Sequence, residues 1–107
     1  MAFYPLQAKH PEIYKPLTEC LEQKGIHVFD VKAEAMIVPN TLETVISVKY
    51  GNDYLQETRF SMSKDELAVP IEQNKALLAF LEKTAESCRK ATEDEYQAFM
   101  SLNQRKR

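Results

Sequence analysis

VKYGNDYLQETRF, residues 48–60, sets two runs of alternating apolar and polar side chains on either side of Gly51-Asn52-Asp53. A period of two marks a half-buried strand, and a Gly/Asn/Asp break between two such runs reads as a hairpin. The fold turns on whether the hairpin's aromatics face inward to build a core or outward to hold a partner.

The run before it, Ile26 to Val38, repeats the pattern. Phe29, Val31, Ala33, Ala35 and Ile37 lie on one side, and Asp30, Lys32 and Glu34 on the other. Three strands are therefore predicted, at 26–38, 42–50 and 54–62. A tight turn at Val38-Pro39-Asn40-Thr41, with Asn40 suited to the left-handed position of a type II turn, would set Phe29 opposite Tyr50, Val31 opposite Val48, Ala33 opposite Ile46 and Ile37 opposite Leu42. A three-residue loop at Gly51-Asn52-Asp53 would set Tyr50 opposite Tyr54, Val48 opposite Gln56, Ile46 opposite Thr58 and Thr44 opposite Phe60.

In that arrangement one apolar face runs across all three strands. A slip of one residue would put Glu57 and Arg59 among its rows. The aromatics Phe29, Tyr50, Tyr54 and Phe60 then face the core. The other face carries Asp30, Lys32, Glu34, Lys49, Glu57 and Arg59, with Asp30 beside Lys49 and no aromatic. Both outer strands of such a meander leave backbone groups unpaired.

Helices flank the strands. Ile13, Leu17, Cys20 and Leu21 recur at helical spacing and Gly25 suits a left-handed cap, so a first helix is expected over 16–24. Residues 11–15 form either a turn or a kinked extension of it, since Pro11 and Pro16 each fit a first helical position. Ser63 and Glu66 have capping-box spacing, and the Pro70 region separates that turn from a helix capped by Asn74 and carrying Leu77, Leu78, Leu81, Ala85 and Cys88 on one stripe. Thr92 and Glu95 repeat the capping signature, with Glu93-Asp94-Glu95 at one end and Arg105-Lys106-Arg107 at the other. A separate last helix is expected at about 93–104, its narrow stripe of Tyr96, Phe99, Met100 and Leu102 laid across the domain or into a dimer interface.

The expected fold is therefore α+β: α-β-β-β-α-α order, a three-stranded antiparallel meander with helices packed on one face, in a single domain over 1–107. The order loosely resembles double-stranded-RNA-binding domains, which also run α-β-β-β-α. Where those domains place a glycine- and lysine-rich run leading into their final helix, this chain has SMSKDELAVPIEQNK, residues 61–75, so no function is carried across.

Composition narrows the chemistry. With 107 residues, 44% hydrophobic, the chain is long enough for one core without disulfide or metal support. A formal charge of −2 removes the general attraction to nucleic acid, and the sheet face lacks the aromatics on which bases stack. Two glycines leave no phosphate-cradling loop. Cys20 and Cys88 are expected to be reduced core thiols; with His10 and His27 they lack the close spacings of a zinc site. His27 and Asp30 have opposite strand parity, which argues against an acid/base pair. No catalytic residue, cofactor or metal is expected, and no run approaches membrane-spanning length, so a cytoplasmic location follows.

These readings converge on a small non-enzymatic regulatory or adaptor protein that binds another protein, with a homodimer as one form of that binding. The partner-binding candidates are Tyr50, Asn52, Asp53 and Tyr54 at the hairpin tip and Arg105, Lys106 and Arg107 at the basic end. The alternatives are nucleic-acid binding through that basic end and a small enzyme with an unrecognised site.

Overall fold

A computed structural model describes the backbone of residues 2–105 and the side chains of residues 2–101. The chain is α+β, with a four-stranded antiparallel sheet and helices on one of its faces. Strand β1 (Tyr4–Pro5) pairs with β2 (Lys32–Ile37), which pairs with β3 (Thr44–Tyr50), which pairs with β4 (Gln56–Met62). The first strand is additional to the three expected. Two residues are too few to show a period, and they cover part of the β2 edge that the meander would have left open.

Helix α1 (Leu6–Lys9) leads through His10 into α2 (Pro11–Gln23), so the extension before Pro16 is helical. Pro11 takes a first-turn position, where its missing N–H costs nothing. Pro16 lies inside the helix, which therefore lacks one of its ladder bonds. The end of α2 is a Schellman motif. Gly25 N–H donates to Glu22 O at 3.0 Å and Ile26 N–H to Leu21 O at 2.9 Å, with Gly25 at φ +76°. Both Leu21 and Ile26 are buried, which fixes the exit of the chain from the helix.

The faces of the sheet follow the expected parity, but both registers are displaced by two residues. Ala33 lies opposite Val48 and Ala35 opposite Ile46; Tyr50 lies opposite Gln56, Ile46 opposite Phe60 and Thr44 opposite Met62. Longer connections cause the shift. Val38 N–H donates to Glu43 O at 2.8 Å, so four residues make the first loop, and it is Leu42 (φ +60°), not Asn40, that turns left-handed. Residues 51–55 make the second, so Tyr54 stands in the loop instead of opposite Tyr50. An even displacement returns each side chain that stays in a strand to its original face, which is why Ala35, Ile46, Val48, Tyr50 and Met62 meet in the core.

Phe29 does not belong to that core. Residues Val28–Asp30 form a 3₁₀ turn ahead of β2, and Phe29 is 81% exposed. Asp30 leaves the strand with it, and Lys49 instead lies opposite Glu57 with its Nζ 3.8 Å from Glu34. The outer sheet face also holds an aromatic. Phe3 lies 5.8 Å from Lys49 Nζ and 5.6 Å from the Arg59 guanidinium, within cation–π range. Ser47, fully buried on this face, donates to Glu57, which also accepts from Arg59 Nε at 2.9 Å.

Beyond β4, Ser63 and Glu66 form the expected capping box at the start of α3 (Lys64–Leu67), and Asn74 Oδ1 accepts from Leu77 N–H at 3.1 Å to cap α4. Helix α4 runs unbroken over Lys75–Arg105, so the two expected helices are one. No glycine or proline interrupts it, and Arg89 bridges the expected break by bonding Glu86 at i−3 and Glu93 at i+4. Thr92 Oγ1 donates back to Cys88 O instead of capping, a bond available within a continuing helix. Leu77, Leu81, Ala85 and Cys88 face Ile46, Val48 and Met62 of the sheet and Ile13, Leu17 and Leu21 of α2 in one buried cluster. Among the described residues no helix is long and apolar enough to cross a membrane.

Candidate functional site

The loop from Gly51 to Leu55 is backbone under strain. Asp53 and Tyr54 take φ +55° and +54°, beside Gly51 at +82°. A left-handed tyrosine is sterically unfavourable, and residues held this way gather where a surface is shaped for use. Two bonds keep the loop in place: Tyr54 N–H donates to Gly51 O at 3.1 Å, and Leu55 N–H to Asn52 O at 3.2 Å. A third comes from afar. Glu95 Oε1, on α4, accepts from Asn52 N–H at 2.9 Å.

Between this loop, the 3₁₀ turn at Val28–Asp30 and α4 lies a cleft of about 430 Å³. Its base is formed by the buried Ile26, Tyr50 and Cys88. Its exposed aromatics are Phe29 and Tyr54, and its carboxylates are Asp30, Asp53 and Glu95. Among the described residues, no lysine, arginine or histidine lines it. Phe29 also borders a second hollow of about 260 Å³ toward Tyr14 and Lys32, so one exposed ring divides the two.

The arrangement suits a cation or a chain of cations. Aromatic faces attract ammonium and guanidinium groups, and carboxylates supply charge-assisted acceptors at the rim. Nucleophilic chemistry is not favoured at the base, because burial pushes the Cys88 thiol up to about 11 and keeps it protonated at neutral pH. Cys20 is likewise raised to about 11, by burial first and the Glu82 carboxylate second. His27 is exposed and uses Nδ1 to accept from Phe29 N–H at 3.3 Å; no hydrogen bond joins it to Asp30. His10 pairs with Glu12 at 3.2 Å. Among the described residues, no three His, Cys, Asp or Glu side chains come together in a way that would hold a metal.

No match emerges from comparison with protein-family models, curated proteins or solved structures. The site therefore rests on its own geometry.

Of the residues singled out from sequence, Tyr50, Asn52, Asp53 and Tyr54 come together in this cleft. Arg105 is reached only at the far end of α4, with its side chain outside the described residues, and Lys106 and Arg107 lie outside them altogether. Phe29, Asp30, Cys88, Thr92 and Glu95 also line the cleft, although the sequence pattern nominates none of them as a site residue. For Phe29 a signal existed in Gly25-Ile26-His27, since a helix stop followed by a capping histidine uses up chain before a strand can begin. For Glu95 there was none, because its partner is 43 positions away.

Proposed function

We propose that this chain is a non-enzymatic regulatory or adaptor protein that acts by binding another protein, and that the cleft beside the hairpin tip takes up a basic segment of that partner. The observation that carries this reading is the gathering of three carboxylates and two exposed aromatic rings around one cleft that, among the described residues, no cationic side chain lines. Exposed aromatics over a rigid base are the usual anchors of an interface, and uncompensated carboxylates select for positive charge. The two cysteines, both free, support a reducing compartment such as the cytoplasm.

The test is a panel of arginine- and lysine-bearing peptides against acidic counterparts, followed by fluorescence anisotropy and amide shifts. Basic peptides should bind and shift Asn52, Asp53 and Glu95, and Phe29→Ala with Asp30→Asn should weaken capture about tenfold, as the loss of an anchor does. Equal indifference to both panels, or binding that moves none of these residues, would end the reading.

A further inference from the structure

The buried stripe of α4 does not stop where the sheet stops. Phe99 stands eighteen positions after Leu81, about five helical turns, so both lie on the same side of the rod. Leu81 is fully buried, but Phe99 and Tyr96 are each 59% exposed, and Met100 is exposed beside them. The core-facing side of the helix thus continues for about 15 Å over 92–101 with little of the described chain covering it.

That segment is also polar along its length. Glu93, Asp94 and Glu95 open it, and Arg105, Lys106 and Arg107 stand in sequence at its other end. Turned end for end against itself, it is self-complementary. A register centred between Phe99 and Met100 sets position 94 level with position 105 and brings the two apolar stripes together. Glu93 already bonds Arg89 at 2.7 Å, which leaves Asp94 as the principal acidic contributor.

We propose that the outer part of α4 is a homodimerisation helix, pairing antiparallel with the same segment of a second copy about a twofold axis. A twofold interface requires a surface complementary to itself, and an apolar stripe flanked by opposite charges supplies one. The helix is rooted in the core through Leu77, Leu81, Ala85 and Cys88, so association does not have to order it first. The proposal rests on the reading of the chain as a protein-binding molecule and names one partner, at a surface that begins where the cleft ends, with Thr92 and Glu95 on their shared border.

Light scattering and sedimentation of the full chain over a range of concentrations test it. Wild type should pass from monomer to dimer mass. Phe99→Glu, at an exposed site that leaves the core intact, should weaken the dimer about a hundredfold by placing a charge in an apolar contact. Asp94→Lys and Arg105→Asp should each weaken it, and an equimolar mixture of the two should restore dimer mass, because antiparallel pairing then matches both ends. A monomer at every concentration, a dimer indifferent to Phe99→Glu, or a mixture that stays monomeric would overturn the proposal. Phe29→Ala with Asp30→Asn should leave the mass unchanged, and dissociation there would overturn it by moving the interface to the cleft. Peptide capture by a monomeric chain sinks the dimer alone, and a dimer without peptide capture sinks the cleft reading alone.

Discussion

Glu95 and Asn52 are joined across 43 positions of sequence by one hydrogen bond of 2.9 Å, from the backbone N–H of the hairpin tip to a carboxylate on the long helix. Through it the loop that carries Tyr54 and Asp53 is referred to α4, and the two walls of the cleft keep their spacing. Among the described residues, the loop's other hydrogen bonds are internal, Tyr54 N–H to Gly51 O and Leu55 N–H to Asn52 O.

Glu95→Ala removes that acceptor. Global stability should fall by about 1 kcal/mol, the ordinary worth of such a bond, while the amide of Asn52 exchanges markedly faster. Hydrogen exchange followed by NMR checks this; an unchanged Asn52 rate would show that the loop holds itself.

The two glycines should differ in their response to alanine. At Gly25 an added Cβ meets nothing within 4 Å, so only the left-handed backbone opposes it, at about 1 kcal/mol. Gly51 combines φ +82° with ψ −178°, a region essentially closed to other residues, and its Cβ would come within 3.3 Å of Gln56 Nε2. Gly51→Ala should cost more, about 1–3 kcal/mol, and should also disturb the cleft. Urea unfolding of both variants settles the order.

Cys20 and Cys88, with thiols raised to about 11, should react slowly with iodoacetamide at pH 7.5 and accelerate only as pH approaches that value. Cys88, the more buried, should lag behind Cys20. Mass spectrometry of timed alkylation reads both rates, and rapid labelling of Cys88 in the native chain would contradict its burial.

Acid should destabilise the fold in a defined window. Glu57 is held low by hydrogen bonds from Ser47 and Arg59, Glu66 by Ser63, and Glu86, hydrogen-bonded first by Arg89 and then by Lys24, falls to about 2. As pH drops below about 4.5, the unfolded carboxylates take up protons before the folded ones, so the stability these groups contribute is present above that pH and drains away toward 2. Thermal unfolding at pH 6 and pH 3 should show the loss. Glu57→Gln should flatten its slope, while an unchanged slope would assign the effect elsewhere.

How much could be read in the sequence differs from element to element. Alternation puts Ile46, Val48 and Phe60 on one face, as the structure does, but predicts different partners for each, because strand alternation fixes sides without fixing neighbours. Neighbours depend on loop length. Here the loops are set by left-handed Leu42 and Tyr54, residues whose types do not announce that conformation, together with Asp53, whose type tolerates it. Thr92 and Glu95 carry a sound capping signature, yet the helix passes through them: Cys88 and Ala91 hold it on the core up to that point, and Arg89's ion pairs and the Thr92 bond to Cys88 O span the expected break. A third of the cleft, Tyr50, Asn52, Asp53 and Tyr54, is legible because these residues share one stretch of chain. Phe29 and Glu95 join it only through tertiary packing.

Because α4 is one uninterrupted rod, it has no joint at which a disturbance could be absorbed. Its inner end is clamped in the core, and about two thirds of the way along it Glu95 holds the hairpin tip. The outer turns and the acceptor of the Asn52 bond therefore belong to one stiff element.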